Sequence, residues 1–468
     1  MKKASIITLL SGAIAMTAAA SFAGHPVLSK FGQLDFRPGK PARYVMENGL
    51  TVYLLRDNTL PIVHSTLFIA AGNAHDFPGK AGIAQMTAYL AKDGGSARHK
   101  ADDIDKTLEY LGASISGDSF SEETRLDMTA LRKDFDRVFD IYADVITAPA
   151  FEEEKLKVAR DAELEVIRRR NDKPDESAVR EAKRMFYGPA HPYGVRTELS
   201  TVGSVTRQDL LAFHSAFYRP GNSILAVSGD FASDEAMLAA VKGKFGAWTG
   251  AAAPRAGIPA APELTGRKVY LIDKKVPQAF LVVMQKGTDY LTPDNYPLAV
   301  TTDILGGGFQ SRFFREVRTN RGLAYSVYAA NARRKKGGFL FSYCGTKPET
   351  YSQALSEMLK QLELAGAESP AEEEVSRSKG SIVNPFVFKF ATPHKLVSER
   401  ALEELYGFKE GYLDSFVADV SAVTPATARA AGKKYFDPSR AVIFVIGDKS
   451  KFDRPLADFG PVTELKED

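Results

Sequence analysis

The sequence predicts an α+β protein in which one domain is written twice, each copy an α/β sandwich with helices packed on a mixed sheet. Three observations predict it. Distant segments match: Val205-Thr206 and Val423-Thr424, Pro220 and Pro438, and Gly229-Asp230 and Gly447-Asp448 all lie 218 residues apart, and Tyr187-Gly188 recurs as Tyr406-Gly407. A period that long marks a duplicated domain, not a solenoid. Each half also runs from strand patterns to helix patterns and back to a strand, without strict alternation. Between the halves, "GAAAPRAGIPAAPELTG" (250–266) is rich in Ala, Pro and Gly and holds no charge cluster, so it reads as a linker. The domains are then 24–249 and 267–468.

The chain opens with "MKK", an apolar run and small residues at Ser21 and Ala23. That order describes a secretory signal, residues 1–23, cleaved after Ala23. A membrane anchor is the competing reading, but the run is rich in Ala, Ser and Thr and ends in a cleavage pattern. No later run is long enough to span a bilayer. The expected mature protein is exported, soluble and periplasmic.

Strand patterns follow at 52–55 and 63–70, and in the second half at 269–272 and 279–284. The stretch "GIAQMTAYLAKDGG" (82–95) has helical cadence, with Ile83, Met86, Leu90 and Ala91 on one face and a Gly pair as its stop. Helix patterns recur at 152–170 and 371–383. Thr206 and Thr424 suit helix N-caps. Each capped helix leads to a Pro and then to a buried-looking strand, "SILAVSG" or "AVIFVIG".

Composition excludes several classes. The 468 residues are 44% apolar and 25% charged, normal for a globular chain with room for two cores. Net charge is +3, two units of it from Lys2 and Lys3 in the leader, so nothing points to nucleic acid or an anionic membrane. Cys344 is the only cysteine, which rules out an intrachain disulfide and a cysteine metal cluster; it sits in strand-like "GGFLFSYCG" and reads as a buried thiol. No two of the seven histidines form an i, i+4 pair, and His191, in "HPYG", reads as structural. There is no G-x-S-x-G elbow and no P-loop.

Two phrases carry a resemblance. "HPYGVRTELSTVGSVTRQDLLAFHSAFYRPGNSILAVSGD" (191–230) and "ILGGGFQSRFFREVRTNRGLAYSVYA" (304–329), in that order and with the duplication, resemble the pitrilysin/insulinase family of zinc peptidases. That family includes the mitochondrial processing peptidase and small bacterial relatives, and the likeness covers nearly all of the mature chain. It implies a metallohydrolase-like fold of the processing-peptidase type. Active members carry H-x-x-E-H on a first-half helix, two His on one face for Zn²⁺ and a Glu as general base, completed by a Glu some 75 residues on. Aligned on "GIA", this chain has Gln85, Ala88 and Tyr89 where His, Glu and His belong. Gln85 offers a neutral amide, Ala88 takes no proton, and a phenol is protonated at neutral pH. Glu163 and Glu165 both fall in the region of the distal ligand, with the register open between them. One carboxylate does not hold zinc, so no metal is expected in this chain.

The second half keeps what the first has lost. The resemblance assigns substrate binding to an Arg and a Tyr seven residues apart, here Arg318 and Tyr325. Their N–H and O–H donors suit a peptide carbonyl and the oxyanion it becomes. Gly306, Gly307 and Gly308 permit close backbone approach to a ligand, and Ser311 can cap the helix that runs to about Arg318. The plain readings stand beside these. Arg312, Arg315, Arg318 and Arg321 recur every three residues, as on a solvated helix face, Tyr325 lies in an apolar run that suits a core, and a Gly triplet suits a plain turn. Some bacterial relatives divide the family's site between two chains, one with the zinc motif and one with the Arg/Tyr pair. The resemblance thus implies a non-catalytic subunit whose partner, a homologue with H-x-x-E-H, holds the Zn²⁺ and shares a peptide substrate. The alternative is an inactive homologue acting as a peptide-binding scaffold, a homodimer with no part in hydrolysis.

Overall fold

The computed structural model of the protein describes residues 39–250 and 257–467. The leader and the start of the linker lie outside the described residues. Two six-stranded mixed sheets organise the rest. The first is built from β1 (Ala42–Val45), β2 (Thr51–Arg56), β3 (Ile62–Ile69), β4 (Ser114–Ser119), β5 (Thr124–Leu131) and β6 (Ser223–Gly229), in the order β1-β2-β6-β3-β5-β4. The second contains β7 (Lys268–Asp273), β8 (Ala279–Lys286), β9 (Ala324–Ala332), β10 (Phe339–Thr346), β11 (Val442–Gly447) and β12 (Val462–Leu465), in the order β12-β7-β11-β8-β10-β9.

The duplication is visible in that order. In each sheet the strand after the Thr-capped helix pairs parallel with the first long strand and antiparallel with the second, as β6 does with β2 and β3, and β11 with β7 and β8. Thr206 and Thr424 accept the backbone N–H of Asp209 and Thr427, each at 3.2 Å, and so cap helices Arg207–Phe217 and Pro425–Tyr435. The helical readings hold within a few residues, at Ile83–Asp93, Glu153–Arg169 and Glu372–Phe386. Cys344 is buried in β10, and burial pushes its thiol up to about 12.

One face of each sheet packs on helices of its own half. Val52, Leu67, Leu126 and Leu225 join Ile83, Leu90 and Phe139 in one core; Val269, Leu281 and Ile443 join Leu305, Leu355 and Met358 in the other. The opposite faces are covered by exchange. Helix Pro174–Tyr187, from the first half, lays Ala178, Ala182 and Phe186 on Val282, Met284 and Phe444 of the second sheet. Helix Pro393–Tyr406, from the second half, lays Val397, Ala401 and Leu405 on Phe68, Ile224 and Ala226 of the first. The described residues accordingly form one compact unit.

The repeated Tyr-Gly pair ends these exchanged helices. Gly188 and Gly407 both take positive φ, 81° and 77°, where glycine is favoured. The Tyr187 hydroxyl donates to the Gly337 carbonyl at 2.5 Å, between β9 and β10, and the Tyr406 hydroxyl donates to Glu123, between β4 and β5. Each half is thereby pinned to the other half's hairpin. His191 has the structural role expected: its Nδ1 accepts from Tyr193 N at 3.1 Å, its Nε2 donates to the Pro259 carbonyl at 3.1 Å, and its ring stacks on Tyr187. Among the described residues no helix is long and apolar enough to cross a membrane.

Candidate functional site

The degenerate motif lies on helix Ile83–Asp93, which starts at Gly82 with φ 101°. Asp76 caps that start from outside the helix: its carboxylate accepts Gly82 N at 2.7 Å and Ala84 N at 2.9 Å. Burial raises Asp76 to about 6, against the lowering effect of those two bonds. The four apolar positions read from the sequence are all buried.

The helix rests on edge strand β4. The Gln85 side-chain oxygen accepts Ser119 N at 2.9 Å, which ties the neutral amide to β4. Ala88 is fully buried, and its carbonyl sits where a Cβ on Gly117 would meet it at 2.0 Å. Tyr89 is 46% exposed, and burial of the rest, then Asp93, holds its phenol above the ordinary value and therefore protonated at neutral pH. A neutral amide tied to the neighbouring strand, a methyl group and a neutral phenol do not make a zinc-ligand set. Among the described residues no group of three or more His, Cys, Asp or Glu could hold a metal ion. Of the two distal candidates, Glu163 is partly buried, and burial alone raises its pKa. Glu165 lies on the outer face, paired with Arg169 at 2.8 Å and Arg168 at 3.5 Å.

The structure brings Arg318 and Tyr325 together. Ser311 accepts Phe314 N at 3.3 Å and so caps the turn of helix that follows the Gly triplet. From Phe314 to Thr319 the backbone widens into a π-helix, with Asn320 N bonded to the Arg315 carbonyl, five residues back, at 2.8 Å. Arg318 projects from it and donates Nη1–H to the Tyr325 carbonyl at 2.6 Å. Its guanidinium carbon lies 4.7 Å from the Phe314 ring centroid and 4.9 Å from that of Tyr325.

The plain readings of Tyr325 and of the arginines fail. Tyr325 is 77% exposed at the start of edge strand β9, so it is not core. The four arginines are not one solvated face either: Arg312 is largely buried in a two-pronged pair with Glu374, while Arg315 pairs with Glu316 and Arg321 with Glu357. Arg318 alone of the four has no carboxylate partner among the described residues. Gly306 and Gly307 serve internal packing: a Cβ would meet Ala329 N in β9 at 2.2 Å, or Asp303 Oδ1 at 2.1 Å. Only Gly308 has open space there. Gly307 and Gly308 line a cavity of about 580 Å³ with Phe309, Ser378 and Ser381. Phe314 was not singled out from the sequence, although it lies four residues before Arg318, the spacing that puts two side chains on one helix face.

A duplicated α+β chain of two six-stranded sheets, with Gln85, Ala88 and Tyr89 on the first-half helix and an Arg/Tyr pair in the second half, has the architecture of a metallohydrolase-like protein of the peptidase type. Two family models agree on the type: the insulinase model, peptidase family M16, matches residues 51–188, and the peptidase M16 inactive-domain model matches residues 204–382. The chain belongs to the insulinase family. One relative, an uncharacterized zinc protease of Streptomyces coelicolor, is 26% identical over 88% of this chain and 91% of its own. Another, the uncharacterized zinc protease YmxG of Bacillus subtilis, is 24% identical over 86% of this chain and 97% of its own. The fold is shared with the crystal structure of a peptidase M16 inactive domain from Pseudomonas fluorescens, at 23% identity and a TM-score of 0.79 over 87% of this chain and 98% of that one.

Proposed function

We propose that this chain is the non-catalytic, substrate-binding subunit of a heteromeric zinc metallopeptidase that acts on peptides in the periplasm. Arg318 and Tyr325 grip the peptide held at the zinc of a homologous partner that carries H-x-x-E-H. The observation that carries this reading is the unequal state of the two halves. Arg318 is fixed beside an exposed Tyr325 with four of its five N–H donors unspent, while Gln85, Ala88 and Tyr89 are committed to packing or chemically inert. Donors aimed at a carbonyl stabilise the oxyanion that forms there, and loss of one such donor typically costs about 2.7–4 kcal/mol of barrier.

Mixing tests it. The purified chain should bind no stoichiometric zinc and cleave no peptide; the cognate zinc homologue should bring activity. Arg318→Ala or Tyr325→Phe in this chain should lower kcat of the mixture about 10²–10³-fold. Unaltered kcat in both variants removes the clamp. A stable homodimer that ignores every zinc homologue favours the scaffold reading, and zinc-dependent cleavage by the single chain reverses the metal conclusion.

A further inference from the structure

We propose that Phe314 is a positioning residue for Arg318, holding the guanidinium plane by its ring face so that the arginine's charge stays unspent for a ligand; what that ligand is rests on the peptide-gripping function above. A carboxylate is the usual means of fixing an arginine, and it neutralises what it fixes. Arg312, Arg315 and Arg321 are fixed that way, each by a glutamate within 3.0 Å. Arg318 is held between the faces of Phe314 and Tyr325 instead, at 4.7 and 4.9 Å, with one bond to a backbone carbonyl. Aromatic faces attract a cation without cancelling it. The remaining N–H groups, on Nε and Nη2 and the second on Nη1, meet no protein acceptor among the described residues.

The surroundings support the ring. Phe309, 80% exposed, meets Phe314 edge to face at a centroid distance of 5.0 Å and so limits the rotation of its ring. The widened helical turn begins at Phe314 and carries Arg318 one turn later, so ring and guanidinium stand on the same face. Lysine cannot replace Arg318 in this arrangement, because a point charge on a flexible stem has no plane for two rings to hold.

The test uses the full chain labelled with ¹⁵N at arginine. The Arg318 Nε–H signal, assigned by its loss in Arg318→Lys, should lie outside the bulk arginine envelope through the ring currents of Phe314 and Tyr325. Phe314→Leu should return it toward the envelope, and Phe314→Tyr should keep it displaced. The Arg312 signal, fixed by Glu374, reports that each variant is folded. A pool of unstructured 12-residue peptides is then titrated in. Peptide should move the Arg318 signal, with half-saturation several-fold higher in Phe314→Leu than in the wild type or Phe314→Tyr. A wild-type signal inside the envelope, or one that Phe314→Leu leaves in place, overturns the positioning role. If the ring-current shifts appear as stated and peptide moves nothing, the positioning stands and the peptide-gripping function falls.

Discussion

Gln85, Ala88 and Tyr89 differ from a zinc motif by three side chains on a helix whose backbone is intact, so the lost chemistry should be recoverable residue by residue. Replacing all three, Gln85→His, Ala88→Glu and Tyr89→His, puts two imidazoles four residues apart on one face, with a carboxylate between them. Gln85→His gives up the bond to Ser119 N, a cost of about 1 kcal/mol, which metal binding would exceed many times over. The triple variant should bind one zinc per chain by equilibrium dialysis where the wild type binds none. The same background decides the distal ligand. Glu163 is partly withdrawn from water and raised by burial alone, while Glu165 is occupied by two arginines. Glu163→Gln should therefore weaken zinc binding by an order of magnitude or more, and Glu165→Gln should not. No effect from either substitution would mean that the helix presents neither carboxylate to the metal.

At the scale of elements, helix Ile83–Asp93 is kept for what it packs against. The absent Cβ of Gly117 lets the Ala88 carbonyl approach β4, and an added methyl would meet that oxygen at 2.0 Å and its carbon at 2.8 Å. Backbone lies on both sides of the clash, so Gly117→Ala should destabilise the protein by about 1–3 kcal/mol in urea unfolding, and Ser116→Ala, at an exposed neighbour, by far less. Equal stability of the two variants would show that the helix floats on the strand. Much at this scale was legible in the sequence. Thr206 and Thr424 announce their helices because capping is a local matter of one hydroxyl and one N–H. The 218-residue offset announces the duplicated sheet. The exchange of Pro174–Tyr187 and Pro393–Tyr406 was not legible. Ile224, Ala226, Val442 and Phe444 read as buried whichever helix covers them, and the partners that do so are far away in sequence. The Tyr-Gly pair was legible as a repeat, but not as the end of an exchanged helix. Arg318 and Tyr325 were legible only through the family resemblance, and their contact depends on the π-helix, which no periodicity in "FREVRT" foretells.

Across the whole molecule, the exchanged helices make the halves stand or fall together, and one of their contacts is sensitive to acid. His394, near the start of helix Pro393–Tyr406, reaches into the first sheet: its Nε2 lies 2.9 Å from Thr66 Oγ1 and its Nδ1 lies 3.1 Å from Ser228 Oγ. Thr66 gives its own proton to Asp127, so it accepts from Nε2–H, and Ser228 then donates to Nδ1. That chain of bonds needs a neutral imidazole. Burial, then His64 at 5.2 Å between ring centroids, lowers His394 from 6.5 to about 4. The unfolded chain therefore takes up the proton first as pH falls. The stability that depends on neutral His394 is complete above about pH 6.5, drains away toward pH 4, and amounts to about 3 kcal/mol. His64, also lowered by burial, adds the same sign. Asp127, raised by burial, opposes it by releasing its strain as it protonates, while Arg125, Lys389, Lys395 and Glu399 line the same cavity. His394→Gln keeps an acceptor for Ser228 and a donor for Thr66 and cannot titrate. Urea unfolding from pH 7 to pH 4 should show a steep loss of stability in the wild type and a shallower one in the variant, with hydrogen exchange in helix Pro393–Tyr406 accelerating in the wild type first. Identical slopes would place the acid sensitivity elsewhere and leave the Ser228–His394–Thr66–Asp127 chain a contact of packing alone.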